Sequence, residues 1–353
     1  LNSQSLRVAV LSDMHFAKAD AAVGHTHAVV GGPSQRKQCP IVDLEHLIKE
    51  SRLKADLLVT PGDMTLKSCR VGLEAAWARI EKFSKLLDAG NFAAATGNHD
   101  IMSRSGADEP EIWETLKRLN PQYPCPTLDE VERLRYWADH FSVIDEESYR
   151  VVLFNSCNCH ARGSNEFERG RITDYTLTKI TERISAAKGS KLNILLCHHH
   201  PSKLPDVSAR FPDYSEMIHG DALLRAIEET EQSWIVIHGH KHLPNLSYAK
   251  GGAASSVIFS CGSFSAALPP EFLPGTANQF YILDFDLDSA AMGAVRGTVE
   301  SWDWCLGAGW SKASFDDQRR NRIVREGLNK SRNFWLDTGV AARLFQHGPD
   351  EFR

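Results

Sequence analysis

Short, largely apolar runs recur along the chain, each ending in polar residues: "LRVAVLSD" (6–13), "ADLLVTPGD" (55–63), "NFAAATGNHD" (91–100), "YRVVLFNSC" (149–157), "KLNILLCH" (191–198) and "SWIVIHGH" (233–240). Apolar residues fill both faces of each run, which predicts strands covered from two sides. Amphipathic stretches lie between most of them. "IVDLEHLIKESRL" (41–53) follows Pro40, which suits a first helical turn, and "VGLEAAWARIEKFSKLLDAG" (71–90) has helical spacing and a glycine stop. "TDYTLTKITERISAAKG" (173–189) and "GDALLRAIEET" (220–230) predict two further helices. Strand alternating with helix implies an α/β core. Past residue 255 the pattern turns to strands alone, "SVIFSCGSF", "QFYILDFDLDS" and "AMGAVRGTVESWD", with a hairpin turn expected at Ser289-Ala290. Helices are therefore expected to cover sheets that also pack on each other. Residues 1–300 read as one domain. Residues 301–353, with Trp302, Trp304, Trp310, Trp335 and a basic segment, read as a C-terminal extension packed on it.

The polar residues that end these runs form a set. They are Asp13-Met14-His15, Gly62-Asp63, Gly97-Asn98-His99-Asp100, His198-His199-His200-Pro201 and Gly239-His240-Lys241-His242. Open α/β sheets place their sites at the carboxyl ends of strands. Taken singly, each residue is ordinary: an aspartate at a strand end is more often a turn or cap, and a lone histidine more often surface or core. Side chains two apart on extended chain face the same way, so Asp13 with His15, and His240 with His242, can share one target. Carboxylate and amide oxygens mixed with imidazole nitrogens suit Mn, Fe, Zn or Co, and the lack of cysteine among them argues against a structural zinc site. Three consecutive histidines cannot all serve one site equally.

Composition narrows the class. The 353 residues are 42% hydrophobic and 24% charged, a soluble globular balance. No run approaches the ~18–20 apolar residues of a membrane span, and the first residues do not read as a signal peptide. A net charge of −5 argues against a dedicated nucleic-acid binder, leaving Arg319, Arg320, Arg322, Arg325, Lys330 and Arg332 as a solvated helix face first and a nucleic-acid contact second. Eight scattered cysteines read as free thiols in a reducing cytoplasm. The loop 16–40, with His25, His27, Arg36 and Lys37, reads as an exposed loop or, more sharply, as a lid touching substrate beyond its phosphate.

The five strand-end motifs, in order, resemble those of calcineurin-like metallophosphoesterases over roughly residues 6 to 265, and "FNSC" (154–157) with "GRITDYTLTKITERI" resembles the cyclic nucleotide phosphodiesterase-like branch. The resemblance implies a four-layer α/β/β/α sandwich of two mixed sheets flanked by helices, with two metal ions. Carried over by position, Asp13, His15 and His242 would hold the first ion. Asn98, His199 and His240 would hold the second, and Asp63 would bridge. His199 is selected because the family's fourth motif places its ligand two residues before a proline; His198 would face away and His200 would lie near substrate. His99 would donate a proton or bind a phosphoryl oxygen, with Asp100 orienting it. The implied reaction is hydrolysis of a phosphate ester by in-line attack of a metal-bridging hydroxide. A small phosphodiester, such as a cyclic nucleotide or glycerophosphodiester, is the first expectation. A phosphomonoester or nucleotide phosphatase comes second, a nuclease third, and a non-catalytic protein-binding scaffold last. Oligomeric state is left open.

Overall fold

Two six-stranded sheets stack face to face, and helices cover their outer sides. This architecture comes from a computed structural model that describes residues 4–313 apart from 32–38, 102–112, 161–167, 187–188, 190, 205–214, 250–255 and 269–275. The basic segment 316–333 and Trp335 lie outside the described residues. In chain order the strands are β1 (Ser5–Val10), β2 (Ala17–Lys18), β3 (Val29–Val30), β4 (Leu57–Thr60), β5 (Asn91–Ala94), β6 (Phe141–Asp145) and β7 (Tyr149–Phe154). They continue as β8 (Leu192–Leu196), β9 (Ser233–His238), β10 (Asn245–Tyr248), β11 (Val257–Ser260), β12 (Asn278–Asp286), β13 (Gly297–Cys305) and β14 (Gly309–Lys312). The helices are α1 (Ala19–Ala22), α2 (Pro40–Ser51), α3 (Arg70–Leu87), α4 (Glu114–Lys117), α5 (Glu130–Ala138), α6 (Asp174–Ser185), α7 (Gly220–Glu228) and α8 (Leu287–Ala291).

The first sheet runs β14-β13-β12-β1-β4-β5 and the second β10-β11-β9-β8-β7-β6. In each, the strands whose ends carry the polar motifs are parallel neighbours: β1, β4 and β5 in one, β8 and β9 in the other. In the first sheet antiparallel β12 flanks β1; in the second, β11 and β7 extend the parallel set beside β9 and β8, and antiparallel β10 and β6 form the edges. The inner face of the second sheet, with Val151, Leu153, Ile194, Leu196, Ile235, Ile237 and Phe259, joins the core shared with the first sheet. Alternate residues Val152, Phe154, Leu195, Val236 and Ile258 pack outward against Ile180 and Ile184 of α6 and Leu223 and Ile227 of α7. That period-two division is why these strands read as continuous apolar runs. On the far side α2, started by Pro40, and α3 bury Leu44, Ile48, Leu73, Ile80 and Phe83 against the first sheet. The four-layer mixed-sheet sandwich is thus the architecture of the molecule.

Two expectations change. No hairpin turn falls at Ser289-Ala290: Asp286 accepts a hydrogen bond from Ser289 N at 3.0 Å and caps the short helix α8, so the aspartate starts a helical turn between β12 and β13. Residue 300 lies inside β13, and β13 and β14 complete the first sheet, so the stretch from 301 to 312 is sheet rather than extension. The eight cysteines are free thiols. Among the described residues, no helix is long and apolar enough to cross a membrane.

Candidate active site

Past each parallel strand the chain turns abruptly, and the turning residues are the polar ones. Asp13, His15, Asp63, His240 and His242 all sit at positive φ, between 46° and 77°, a region uncommon for residues other than glycine. Asp13 with His15, and His240 with His242, therefore converge through left-handed turns and not through the extended chain that the two-apart spacing implies. Backbone strain of this kind concentrates at functional sites.

Asp13, His15 and His242 form the first group. His242 Nε2 lies 3.3 Å from Asp13 Oδ1 and 3.1 Å from His15 Nε2. The Asp13 carboxylate is aimed by Ser12 Oγ, which donates to its Oδ2, and by the His240 amide, 3.1 Å from its Oδ1. Asp63 is also set by its neighbour: the His99 amide donates to Oδ1 at 2.8 Å, which leaves Oδ2 3.8 Å from His15 Nε2 and 3.3 Å from His198 Nε2. One oxygen thus stands between two groups of imidazoles.

The second group is Asn98, His198 and His240. His198 Nδ1 lies 2.9 Å from Pro61 O and His240 Nε2 lies 2.8 Å from Glu168 O, so those nitrogens donate. In the neutral rings His198 Nε2 and His240 Nδ1 are then bare lone pairs 3.2 Å apart, facing Asn98 Oδ1 at 3.0 and 3.3 Å. Lone pairs converging with no hydrogen to share is a donor set that a divalent cation fits. Burial alone would lower the His198 pKa, but Asp63, Asp13 and Asp100 raise it to about 9. Burial likewise opposes charge on Asp13 and Asp63, yet His242 for the former, and His198 and His99 for the latter, hold both carboxyls below the usual range. Burial and the charge of His99 push His15 down to about 3, and burial with the His199 charge pushes His240 well down.

The histidine triplet corrects the sequence reading. His198 does not face away: it is the member that meets Asp63 and Asn98. His199 instead sets its Nδ1 2.8 Å from Ser156 Oγ and its ring 4.5 Å from that of His240. β8 ends at Leu196 and the chain bends from His198 onward, so alternation of faces no longer orders the triplet. His200 is wholly buried, its ring stacked 6.1 Å from His240, and it is not among the residues that line the cleft described below. Asp100 also differs from expectation. Its oxygens accept from Thr65 N at 3.0 Å and Gly97 N at 2.9 Å, tying the β4 and β5 loops together, and burial and the Asp63 charge raise its pKa to about 7. The His99 ring is oriented by the Lys67 amide, which donates to Nδ1 at 3.0 Å.

A cleft of about 290 Å³ opens on the first group, lined by His15, His99, His242, Lys241 and His25 and by the apolar Leu66, Leu243, Ala266 and Leu268. His25 therefore lies where a substrate contact was expected. His27 does not line it: its ring packs 4.9 Å from Trp304. The described part of the 16–40 loop docks along this rim, with β2 paired to β3 and His27 N donating to Ser265 O at 2.8 Å; residues 32–38, with Arg36 and Lys37, lie outside the described residues. Sequence reasoning missed Ser12, Ser156 and Ser263, whose hydroxyl reaches Asp13 O at 2.7 Å; only adjacency to Asp13 marked the first. The motif glycines have a steric cause. A Cβ on Gly97 would lie 2.2 Å from Asp63 N and Oδ1, and one on Gly239 would lie 2.4 Å from Asp13 Oδ2.

With this geometry in place, comparison with known proteins is informative. A sequence profile described as calcineurin-like phosphoesterase matches residues 6–251. A protein of Psychrobacter arcticus named "Probable cyclic nucleotide phosphodiesterase" is 25% identical over 224 residues, covering 62% of this chain and 70% of its own. A dimetal phosphatase from Danio rerio shares the fold at TM-score 0.53 and 10% identity, with 94% of this chain and 99% of that one covered.

Proposed function

Because the chain belongs to the calcineurin-like phosphoesterase family, and so is a metal-dependent phosphoesterase, we propose that it hydrolyses a small phosphodiester of the cyclic nucleotide or glycerophosphodiester type. Asp13, His15 and His242 would hold one ion. Asn98, His198 and His240 would hold the other, and Asp63 would serve both. His198 takes the place that the motif spacing assigns to His199. The observation that carries this reading is the placement of Asp63 Oδ2 within 3.8 Å of His15 and 3.3 Å of His198, one oxygen serving both groups. Mn, Fe, Zn or Co at these donors would supply Lewis acidity and a water of lowered pKa.

The side chains do the rest. The Lys67 amide fills Nδ1 of His99, so the neutral ring carries its proton on Nε2, and with its edge toward His15 it is placed to give that proton to a departing oxygen. Lys241 puts a cation at the mouth of the cleft, where the phosphoryl charge would lie. The apolar wall of Leu66, Leu243, Ala266 and Leu268 favours a diester, which carries one charge and a second organic group, over a dianionic monoester. The Psychrobacter relative's name points the same way. The test is hydrolysis of bis-nitrophenyl phosphate beside mono-nitrophenyl phosphate by protein stripped of metal and reloaded with Mn²⁺. Metal-dependent preference for the diester is the expected result. Monoester preference would replace the diester reading with a phosphatase, and silence on both would remove the small-ester reading.

A further inference from the structure

Behind the second group lies a cluster that the phosphoesterase reading does not use. Cys157, His160 and His199 are all buried, and the Cys157 sulfur and one nitrogen from each ring lie within 4.8 Å of one another. The local chain is built to hold them. Cys157 and His160 share one turn after β7, His160 N donating to Cys157 O at 3.0 Å, and Asn155 Oδ1 anchors the Cys157 amide at 3.0 Å. Asn158 Nδ2 ties the same turn to Asn155 O and Arg171 O, both at 3.1 Å. Ser156 Oγ reaches across to the His199 amide at 3.2 Å and to its Nδ1 at 2.8 Å, and the His160 and His199 rings stand 5.3 Å apart.

We propose that Cys157, His160 and His199 form a third metal site, chemically distinct from the two-ion centre, that takes a zinc-like ion. One thiolate with two imidazoles is a softer donor set than carboxylates, amide and imidazoles, and it matches the three-ligand zinc sites whose fourth position is open. Zn–S near 2.3 Å and Zn–N near 2.0–2.1 Å place tetrahedral ligand atoms roughly 3.5 Å apart, so the cluster need contract by only about 1 Å. Binding forms a sulfur–metal bond and releases the thiol proton to solvent. The Cys157 thiol donates to Thr96 O at 3.3 Å. Asp63 and Asp100, which together with burial keep the thiol protonated, also make the surroundings favourable to a cation.

The experiment is Co²⁺ titration of the metal-stripped full chain, reading the near-ultraviolet sulfur-to-cobalt charge-transfer band and the bound cobalt per chain. The wild type is expected to show the band and to bind one more ion than Cys157→Ser, which loses the band. Cys159→Ser is expected to keep both. If Cys157→Ser does not fold, His160→Gln, which keeps the thiol, is expected to lose the extra ion. A wild type without the band, or a band that survives Cys157→Ser and disappears in Cys159→Ser, overturns the assignment; so does equal cobalt in the wild type and His160→Gln. The inference rests on the proposed assignment of His198, and not His199, to the second ion. The sulfur band reports this cluster whether or not the other groups fill, and loss of turnover with the band intact would count against the other reading alone.

Discussion

Replacing Gly97 by alanine tests the claim that the motif glycines exist to let two loops touch. The added methyl would sit 2.2 Å from both Asp63 N and Asp63 Oδ1, where ordinary contact begins at 3.4 Å. Both atoms belong to the bridging residue and its backbone, so no flexible side-chain end can swing aside. Relief requires the β4 and β5 loops to part by about 1 Å. Overpacking of this kind costs about 1–3 kcal/mol. Parting the loops also stretches the charge-assisted bond from His99 N to Asp63 Oδ1, 2.8 Å long, worth a further ~1.5–3 kcal/mol. A displacement of ~1 Å in a catalytic constellation lowers turnover on the order of 100-fold. Gly97→Ala is therefore expected to lose about 2.5–6 kcal/mol in urea denaturation and about 100-fold in hydrolysis of bis-nitrophenyl phosphate. Gly90→Ala is the control, because its methyl would meet nothing nearer than Asp56 O at 3.8 Å. It should stay within ~1 kcal/mol of the wild type. If Gly97→Ala matched Gly90→Ala in both assays, the steric account of the motif would be refuted.

Other consequences can be checked with the same assays. His198→Ala is expected to lose a bound ion and nearly all turnover, whereas His199→Ala should stay within the ~10–100-fold loss typical of residues behind the ligands. The reverse order would return the ligand role to His199. His99→Ala should lower kcat while Mn²⁺ content, measured by mass spectrometry, stays at the wild-type level; loss of metal along with rate would make His99 a ligand. Chelation followed by Mn²⁺ repletion should abolish and restore activity, and at saturating metal raise Tm by on the order of 5–10 °C. A metal-independent Tm would argue against occupied sites. Trp304→Phe removes an indole donor 2.7 Å from Asp43 Oδ2 and should cost about 1–3 kcal/mol in urea denaturation; an unchanged midpoint would show that solvent replaces the bond freely.

Much of the site could be read before the fold was seen, because its residues lie at the ends of runs whose apolar faces declare buried strands. That logic gathered Asp13, His15, Asp63, Asn98, His240 and His242 at one end of the sheets, and the family resemblance supplied their proposed division between two ions. The histidine triplet did not yield to it: period two holds only while the chain is extended, and the strand stops two residues short of His198. Asp100 looked like a partner of the adjacent ring, but nearness in sequence says little about which backbone amides a turn will expose. The helix α5 and strand β6 passed unnoticed because Glu130–Asp145 offers only a short amphipathic pattern and five strand residues. The bonds from Trp304 to Asp43 and from Trp310 Nε1 to Pro40 O span 261 and 270 positions, a separation that no local pattern encodes.

Those two tryptophans separate what reacts from what fits. β13 and β14 carry none of the proposed ligands, yet their indoles grip the start of α2, and Trp304 also packs against His27 of the 16–40 loop. The outermost hairpin of the first sheet therefore acts as a buttress for α2 and for the described part of the 16–40 loop. Changes in that hairpin would shift α2 and the loop while leaving the metal-facing turns untouched.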